Sequence, residues 1–320
     1  MGHIFNLYKR FGGASLLREY LTTGFLFKAP LQLLATGLSD KGLELFREAA
    51  SLSTYRYLEK HYAKYLPAAD DCTPPVQCGS RKVWIFWWQG MDGAPRLVRQ
   101  CYRSVCQYLG DWEVVLITKD NYKDYVSFPP RILEKLESGA ITLTHFSDLL
   151  RIELLVNHGG LWLDATVLCT GGDIPPSILD SELFVYQTQK PGSNGHATQM
   201  SSWCMWARPG NSILRATRTL LYAYWQRNDR LLNYFLLHHF FTLACKFHAD
   251  EARQIPPYTN ETPHILLLHF FDAYRPSLWE DWKRQTCFHK LSYKLDPVKE
   301  RQEDTFYAHI VKAEGEQGLS

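Results

Sequence analysis

The sequence predicts an α/β fold: a mostly parallel sheet flanked by helices, preceded by an all-helical region. Three observations predict it. A short apolar run closed by glycine, V-W-I-F-W-W-Q-G from Val83, reads as a buried strand. An amphipathic stretch and a second apolar run, E-V-V-L-I-T, follow directly, and strand–helix–strand of this length is a βαβ unit with parallel strands. Before Val83 the apolar residues recur at three and four, the helical period.

Residues 14–66 carry that period, with Leu43, Phe46, Ala50, Tyr57, Leu58, His61, Tyr62 and Tyr65 in phase. The apolar segment from Thr22 to Leu38 is interrupted by Lys28 and Pro30. It falls short of the roughly 20 clean apolar residues a membrane span needs, and suits a packed helix pair or a surface-lying helix. Residues 67–81, with prolines, glycine, cysteines and paired aspartates, read as a linker. This divides the chain into a helical region, 1–80, and an α/β domain, 81–320.

Pro95 opens a helix that carries Leu97, Val98, Cys101, Val105 and Tyr108 on one stripe, and Glu113 begins the second strand. Short helices fit Asn121–Val126 and Pro130–Glu137. Residues 171–176 are a loop, Glu182–Gln187 and Trp203–Ala207 are strands, and the polar stretch 188–201 between them suits a mobile loop at an active site. Two helices fit 211–247, a mixed element surrounds 287–294, and a last helix lies near 305–313.

Bulk composition narrows the function. The chain has 320 residues, is 46% hydrophobic and 14% aromatic, and carries a formal net charge of +2, too small to argue for a nucleic-acid partner. Its eight cysteines include no C-x-x-C pair, which argues against structural zinc and for reduced thiols in a cytosol. The first residues show no secretory apolar core, so the sequon at Asn260-Glu261-Thr262 is read as chance. A phosphotransferase reading lacks both a G-x-x-x-x-G-K-[ST] loop and a G-x-G-x-x-G fingerprint.

The most informative stretch is 147–169, S-D-L-L-R-I-E-L-L-V-N-H-G-G-L-W-L-D-A-T-V-L-C. Ser147 reads as the N-cap of a helix with Asp148 in its first turn, and Asp148 and Arg151, three apart, share a face. Gly159 ends the helix, and Gly160 lets the backbone enter the sheet closely. In the strand that follows, Trp162, Asp164 and Thr166 share one face. An unpaired Asp inside a sheet is costly, so Asp164 belongs at a strand end, facing a cation or hydrogen-bond donors. Carboxylate and hydroxyl oxygens suit a hard divalent cation with phosphate. Taken alone, the same features also describe a capped helix, a local ion pair and a tight turn.

The pattern S-D-x-x-R followed by G-G-x-W-x-D-x-T resembles the sugar-binding region of retaining glycosyltransferases with a GT-A fold. That group includes the yeast mannosyltransferases of family 32 and the glucosylating clostridial toxins; the likeness is nearest to bacterial capsular polysaccharide synthesis glycosyltransferases. W-I-F-W-W-Q-G at 84–90, L-I-T-K-D-N-Y at 116–122 and H-K-L-S-Y-K at 289–294 extend it over roughly 82–295. The resemblance implies a GT-A-type, Rossmann-like mixed sheet and a hexosyltransferase that uses a UDP-sugar. It makes Trp88 the ring that stacks on uracil and adds Gln89 and Gly160 to the donor-binding residues. Asp148 and Arg151 would hold donor sugar hydroxyls, with Asp164 meeting ribose and metal as the first acid of a D-x-D motif. By position only, His289 would complete a Mn²⁺ or Mg²⁺ shell with Asp164 and Thr166, and Lys290 would bind the diphosphate. The implied acceptor is an oligosaccharide, a lipid-linked glycan at the cytoplasmic face of the cell membrane. The helical region with Lys9, Arg10, Arg18 and Lys28 would dock there or cap the acceptor. Thr166 departs from the motif's second acid, which leaves a second reading open: a catalytically silent nucleotide-sugar-binding module.

Overall fold

The computed structural model describes residues 13–69, 81–189 and 197–312. The amino-terminal part is helical, with α1 (Ala14–Thr22), α2 (Ala29–Thr36) and α3 (Asp40–Tyr62) continuing into 3-10 turns over Ala63–Ala69. Ser39 caps α3 by accepting from the Gly42 amide at 3.1 Å. Most of the expected linker 67–81 lies outside the described residues, with Cys72 and Cys78. The six described cysteines are free thiols, and Cys101, Cys169 and Cys204 are buried.

β1 (Lys82–Phe86), α4 (Arg96–Tyr108) and β2 (Glu113–Ile117) form the expected βαβ unit, its strands parallel from Lys82–Glu113 to Phe86–Ile117. α4 buries Leu97, Val98, Cys101 and Val105, but Tyr108 is exposed. The stripe runs on instead through Leu109, four residues after Val105 and buried. α5 (Pro130–Glu137) and α6 (Leu143–His158) follow, then β3 (Gly160–Leu163) and β4 (Val167–Cys169). Further on come α7 (Pro176–Leu179), β5 (Leu183–Gln187), β6 (Met200–Ala207), α8 (Ser212–Arg227) and α9 (Leu236–Phe247). α10 (Pro276–Gln285) and β7 (Phe288–Lys290) precede a final helical turn, Ala308–Lys312.

The five-stranded sheet has the order β2-β1-β3-β6-β5. β1 is parallel to β2 and β3, whereas β6 is antiparallel to β3 and β5. The sheet is mixed rather than mostly parallel because only the early strands are joined by helical crossovers; β5 and β6 are joined by a loop, which antiparallel pairing permits. That loop is the polar stretch expected at 188–201. Residues 190–196 of it lie outside the described residues, and its last two residues belong to β6.

Strand alternation splits the core. Trp84, Phe86 and Trp162 face α6, α8 and α9, and Leu58, Tyr62 and Leu66 join them there. Val83, Ile85, Leu161 and Leu163 face α4.

Two expectations for 147–169 are corrected. Helix α6 begins four residues before Ser147: Thr142 is the N-cap, accepting from the His145 amide at 3.3 Å. Phe146 and Leu150, both buried, extend the apolar side by a turn, so Asp148 lies inside the helix and not in its first turn. The strand also stops sooner than its alternation suggests. It leaves the main sheet at Leu163, and β4 pairs with β7 instead, matching Val167 to Lys290 and Leu168 to His289. The glycine turn is as expected, with φ of 65° at Gly159 and 98° at Gly160. A Cβ on Gly160 would stand 2.6 Å from the Lys82 carbonyl oxygen, so the close entry into the sheet requires glycine.

Candidate active site

β1 is followed in sequence by β2 on one flank and in space by β3 on the other, so the strand order reverses between β1 and β3. Open α/β sheets take ligands in the crevice beyond the carboxyl ends of strands at such a reversal. Asp164 stands one residue past β3 at that place. Its amide donates to the Trp203 carbonyl of β6 at 2.8 Å, and its carbonyl accepts from the Val167 amide at 3.0 Å. These two bonds turn the chain from β3 into β4 and hold the carboxylate in the crevice.

Three side chains donate to or pair with that carboxylate. Trp162 Nε1 donates to Oδ1 at 3.0 Å, Lys290 Nζ donates to Oδ2 at 2.8 Å, and Arg151 Nη2 lies 3.4 Å from Oδ1. Burial pushes the Asp164 carboxyl up, but the charges of Lys290 and Arg151 and the bonds from Lys290 and Trp162 outweigh it and hold the pKa at about 2. The group is an anion at any physiological pH, with 26% of its side chain exposed.

Asp148 is more deeply set, its side chain 10% exposed. Oδ1 lies 3.3 Å from Arg151 Nη2, and Oδ2 lies 3.3 Å from Nδ1 of buried His145. The Trp225 indole donates to His145 Nε2 at 2.9 Å, so the neutral ring carries its proton on Nδ1, toward Asp148. Arg151 spends its donors inside the protein. Nε donates to the Ser147 carbonyl at 3.2 Å, Nη1 to the Ser202 carbonyl at 2.6 Å and Nη2 to the Ser147 hydroxyl at 3.2 Å, while the guanidinium lies 4.9 Å from the centre of the Trp162 ring. Ser147, expected as an N-cap, thus supports Arg151 instead. Arg151 fixes the spacing of the two acids, and the acids present the oxygens.

Of the residues expected at the site, Asp148, Arg151, Asp164, Thr166 and Lys290 come together. Thr166 Oγ1 accepts from Lys290 Nζ at 2.7 Å, so one ammonium bridges the hydroxyl and the Asp164 carboxylate. His289 does not join them. Neighbouring strand residues point to opposite faces, and His289 lies buried on the far face of β7, 3.2 Å from the Thr170 hydroxyl and 5.1 Å from the Trp279 ring. The expected metal set of Asp164, Thr166 and His289 is therefore not assembled. Its two oxygens are turned to Lys290, and no group of three His, Cys, Asp or Glu among the described residues is placed to hold a metal.

Gly160 is at the amino end of β3, opposite Asp164, and its contact is with the Lys82 backbone. Trp88 lies beyond the carboxyl end of β1, at the crevice end of the sheet, and is half-buried. Its ring packs 5.7 Å from Phe146, 5.9 Å from Tyr122 and 6.2 Å from Phe86. Gln89 beside it is exposed.

Sequence reasoning missed His145 and the influence of the site's charges on Tyr234 and His238. His145 was legible, since it precedes Asp148 by three residues as Asp148 precedes Arg151. Tyr234, before α9, and His238 on it carry no local signal. Partial burial and then the charges of Asp148 and Asp164 raise the Tyr234 phenol pKa. Burial lowers that of His238 to about 4, with Asp148 and Arg151 acting on it next. Of the histidine pair, His239 is buried in the core, whereas His238 is partly buried beside Phe235, with ring centres 5.2 Å apart.

Residues 39–310 match the family described as capsular polysaccharide synthesis protein. The chain belongs to that family. Relatives of this chain include two fungal proteins. One is an O-glycosyltransferase, PaGT, of Phomopsis amygdali, 24% identical over 190 residues, or 53% of this chain and 45% of that one. The other is the O-glycosyltransferase braB of Annulohypoxylon truncatum, 31% identical over 94 residues, or 27% of this chain and 22% of that one. The family member thus spans less than half the length of these curated relatives. Among solved structures, the PaToxG glycosyltransferase aligns with a TM-score of 0.40 at 13% identity, over 83% of this chain and 98% of that one.

Proposed function

We propose that this chain is a retaining glycosyltransferase that moves a hexose from a UDP-sugar to a hydroxyl of a glycan acceptor in surface polysaccharide synthesis. The observation that carries the reading is the cluster Asp148–Arg151–Asp164–Lys290 at the carboxyl-end crevice. The family description and the names of the two curated relatives support it. Asp148 and Asp164, held apart by Arg151, accept from donor hydroxyls; a hydroxyl that matches them is favoured over one that does not by about 1–3 kcal/mol.

The demanding step is departure of the nucleoside diphosphate. Lys290, the mobile point charge of the cluster, swings from Thr166 and Asp164 to the phosphate oxygens and stabilises the charge that grows there. The bond from the anomeric carbon to the phosphate oxygen breaks as the bond to the acceptor oxygen forms on the same face. The leaving phosphate oxygen takes the acceptor proton, so no separate protein base is needed.

The test is a thermal-shift screen of UDP-Glc, UDP-Gal, UDP-GlcNAc and UDP-GalNAc, followed by UDP release with and without EDTA. One donor is expected to raise the melting temperature, and turnover is expected to survive EDTA. Asp164→Ala and Arg151→Ala should each lower turnover on the order of a hundredfold. Full activity in both variants would remove the cluster from the reaction. Donor binding with no sugar release under any condition would favour the silent binding module, and activity restored only by Mn²⁺ would return a metal to the site.

A further inference from the structure

The amino-terminal helices turn an apolar face to solvent. Phe27, Leu31, Leu34 and Leu38 are 81%, 72%, 83% and 74% exposed. Their spacing of four, three and four residues sets them along one side of α2 and its ends. The other side of the segment is the one that packs, through Phe25 and Ala29 against Ala50 and Phe46. On α1, Leu17 and Leu21, four apart, are exposed as well, at 44% and 51%. A helix at a water-facing surface ordinarily carries its apolar stripe inward. Here the more apolar side is outward.

A cavity of about 460 Å³ opens next to this face, lined by Leu21 and Thr22 of α1, by Lys28, and by Arg56, Lys60 and His61 of α3. No acid lines it. Lys28, Arg56 and Lys60 have no ion-pair partner among the described residues, although other cations of the same helices, such as Arg47, do. Three unpaired cations around one cavity, beside exposed leucines and a phenylalanine, complement one surface chemistry: acyl chains next to phosphates. A second copy meeting this face about a twofold axis would set the cations against their own kind.

We propose that α2 and its flanks form a docking surface for an anionic lipid bilayer. Phe27, Leu31, Leu34 and Leu38 lie among the acyl chains, and the Lys28–Arg56–Lys60–His61 cavity receives a lipid phosphate. The same helices are fastened to the segment that leads into α9. Glu19 of α1, buried, accepts from Thr54 at 2.7 Å and from Asn233 at 2.6 Å, and Asn233 immediately precedes Tyr234. A bilayer held at α2 is therefore tied through α1 to the segment that leads into α9. No described helix is long and apolar enough to cross a membrane, so contact would be with one leaflet. The docking does not depend on the transferase reading, because it is measured without donor or turnover.

The experiment is cosedimentation of the full chain with phosphatidylcholine vesicles, with and without phosphatidylglycerol. The chain should pellet with the anionic vesicles and be released by salt. Phe27→Ser/Leu31→Ser/Leu34→Ser, at exposed positions, should keep its circular-dichroism melt and stay in the supernatant. Lys28→Ala, Arg56→Ala and Lys60→Ala should each weaken binding to anionic vesicles about fivefold and leave the weak binding to neutral vesicles unchanged. Failure of the wild type to pellet with anionic vesicles would overturn the proposal, as would a serine variant that pellets like the wild type. A dimer in light scattering that the serine variant abolishes, without vesicle binding, would show that a second copy covers the face.

Discussion

The ammonium of Lys290 sits between Asp164 Oδ2 and Thr166 Oγ1, at 2.8 and 2.7 Å, and is the largest cause that lowers the Asp164 pKa. Its effect on stability has a definite sign. A carboxyl whose pKa is depressed on folding adds stability above its unfolded value, near 4, and gives it up as the pH falls toward its folded value. For Asp164, held at about 2, the window runs from about pH 4 down to about pH 2, and the contribution is about 2 kcal/mol. Urea titrations across that range should show this loss in the wild type. Lys290→Met should be less stable at neutral pH and lose less on acidification, since the carboxyl then ionises nearer its ordinary value. An identical acid loss in both proteins would show that the ion pair does not form in solution.

At the scale of the element, the α6–β3 turn makes the sharpest prediction. Gly160 has a φ of 98° and no room for a Cβ beside the Lys82 carbonyl, so Gly160→Ala strains the turn and pushes β3 from β1 at once. A loss of about 3 kcal/mol in urea unfolding is expected. A loss under about 1 kcal/mol would mean that the strand entry is pliant. Elements bounded by their own sequence were legible before the structure. β1, β2 and Pro130–Glu137 were, because an apolar run between turn residues, or a proline at a helix start, is local information. The start of α6 was not, because both Thr142 and Ser147-Asp148 satisfy the rules for a cap, and only the burial of Phe146 decides between them. The end of β3 was missed for a different reason. Alternation continues through L-W-L-D-A-T-V-L, but the pairing partner changes from the main sheet to β7, far along the chain. The same distant pairing settles which of His289 and Lys290 meets Asp164. Strand parity relative to β4 fixes it, and no spacing within 289–294 reveals it.

At the scale of the molecule, the amino-terminal helices are part of the core that backs the site. Tyr62 of α3 packs 5.7 Å from Tyr224 of α8 and 5.4 Å from Phe240 of α9, and its hydroxyl accepts from Asn228 at 2.6 Å. Leu58 and Leu66 share its cluster. A chain beginning at residue 81 should therefore lose the single cooperative melt of the intact protein and bind a hydrophobic dye. A truncated chain that melts as sharply and as high as the intact one would make α1–α3 an independent addition.

The Lys290–Asp164 pair closes a loop of 126 residues. A ribosome adding about 5–20 residues per second exposes Asp164 about 6–25 s before its cation exists. During that interval Asp148, Arg151 and Asp164 are a net-negative trio whose second cation is still missing, and the fold around them lacks β7. Assembly of the site therefore waits until β7 has been made. A nascent chain stalled before residue 290 should carry most of the fold and none of the finished cluster.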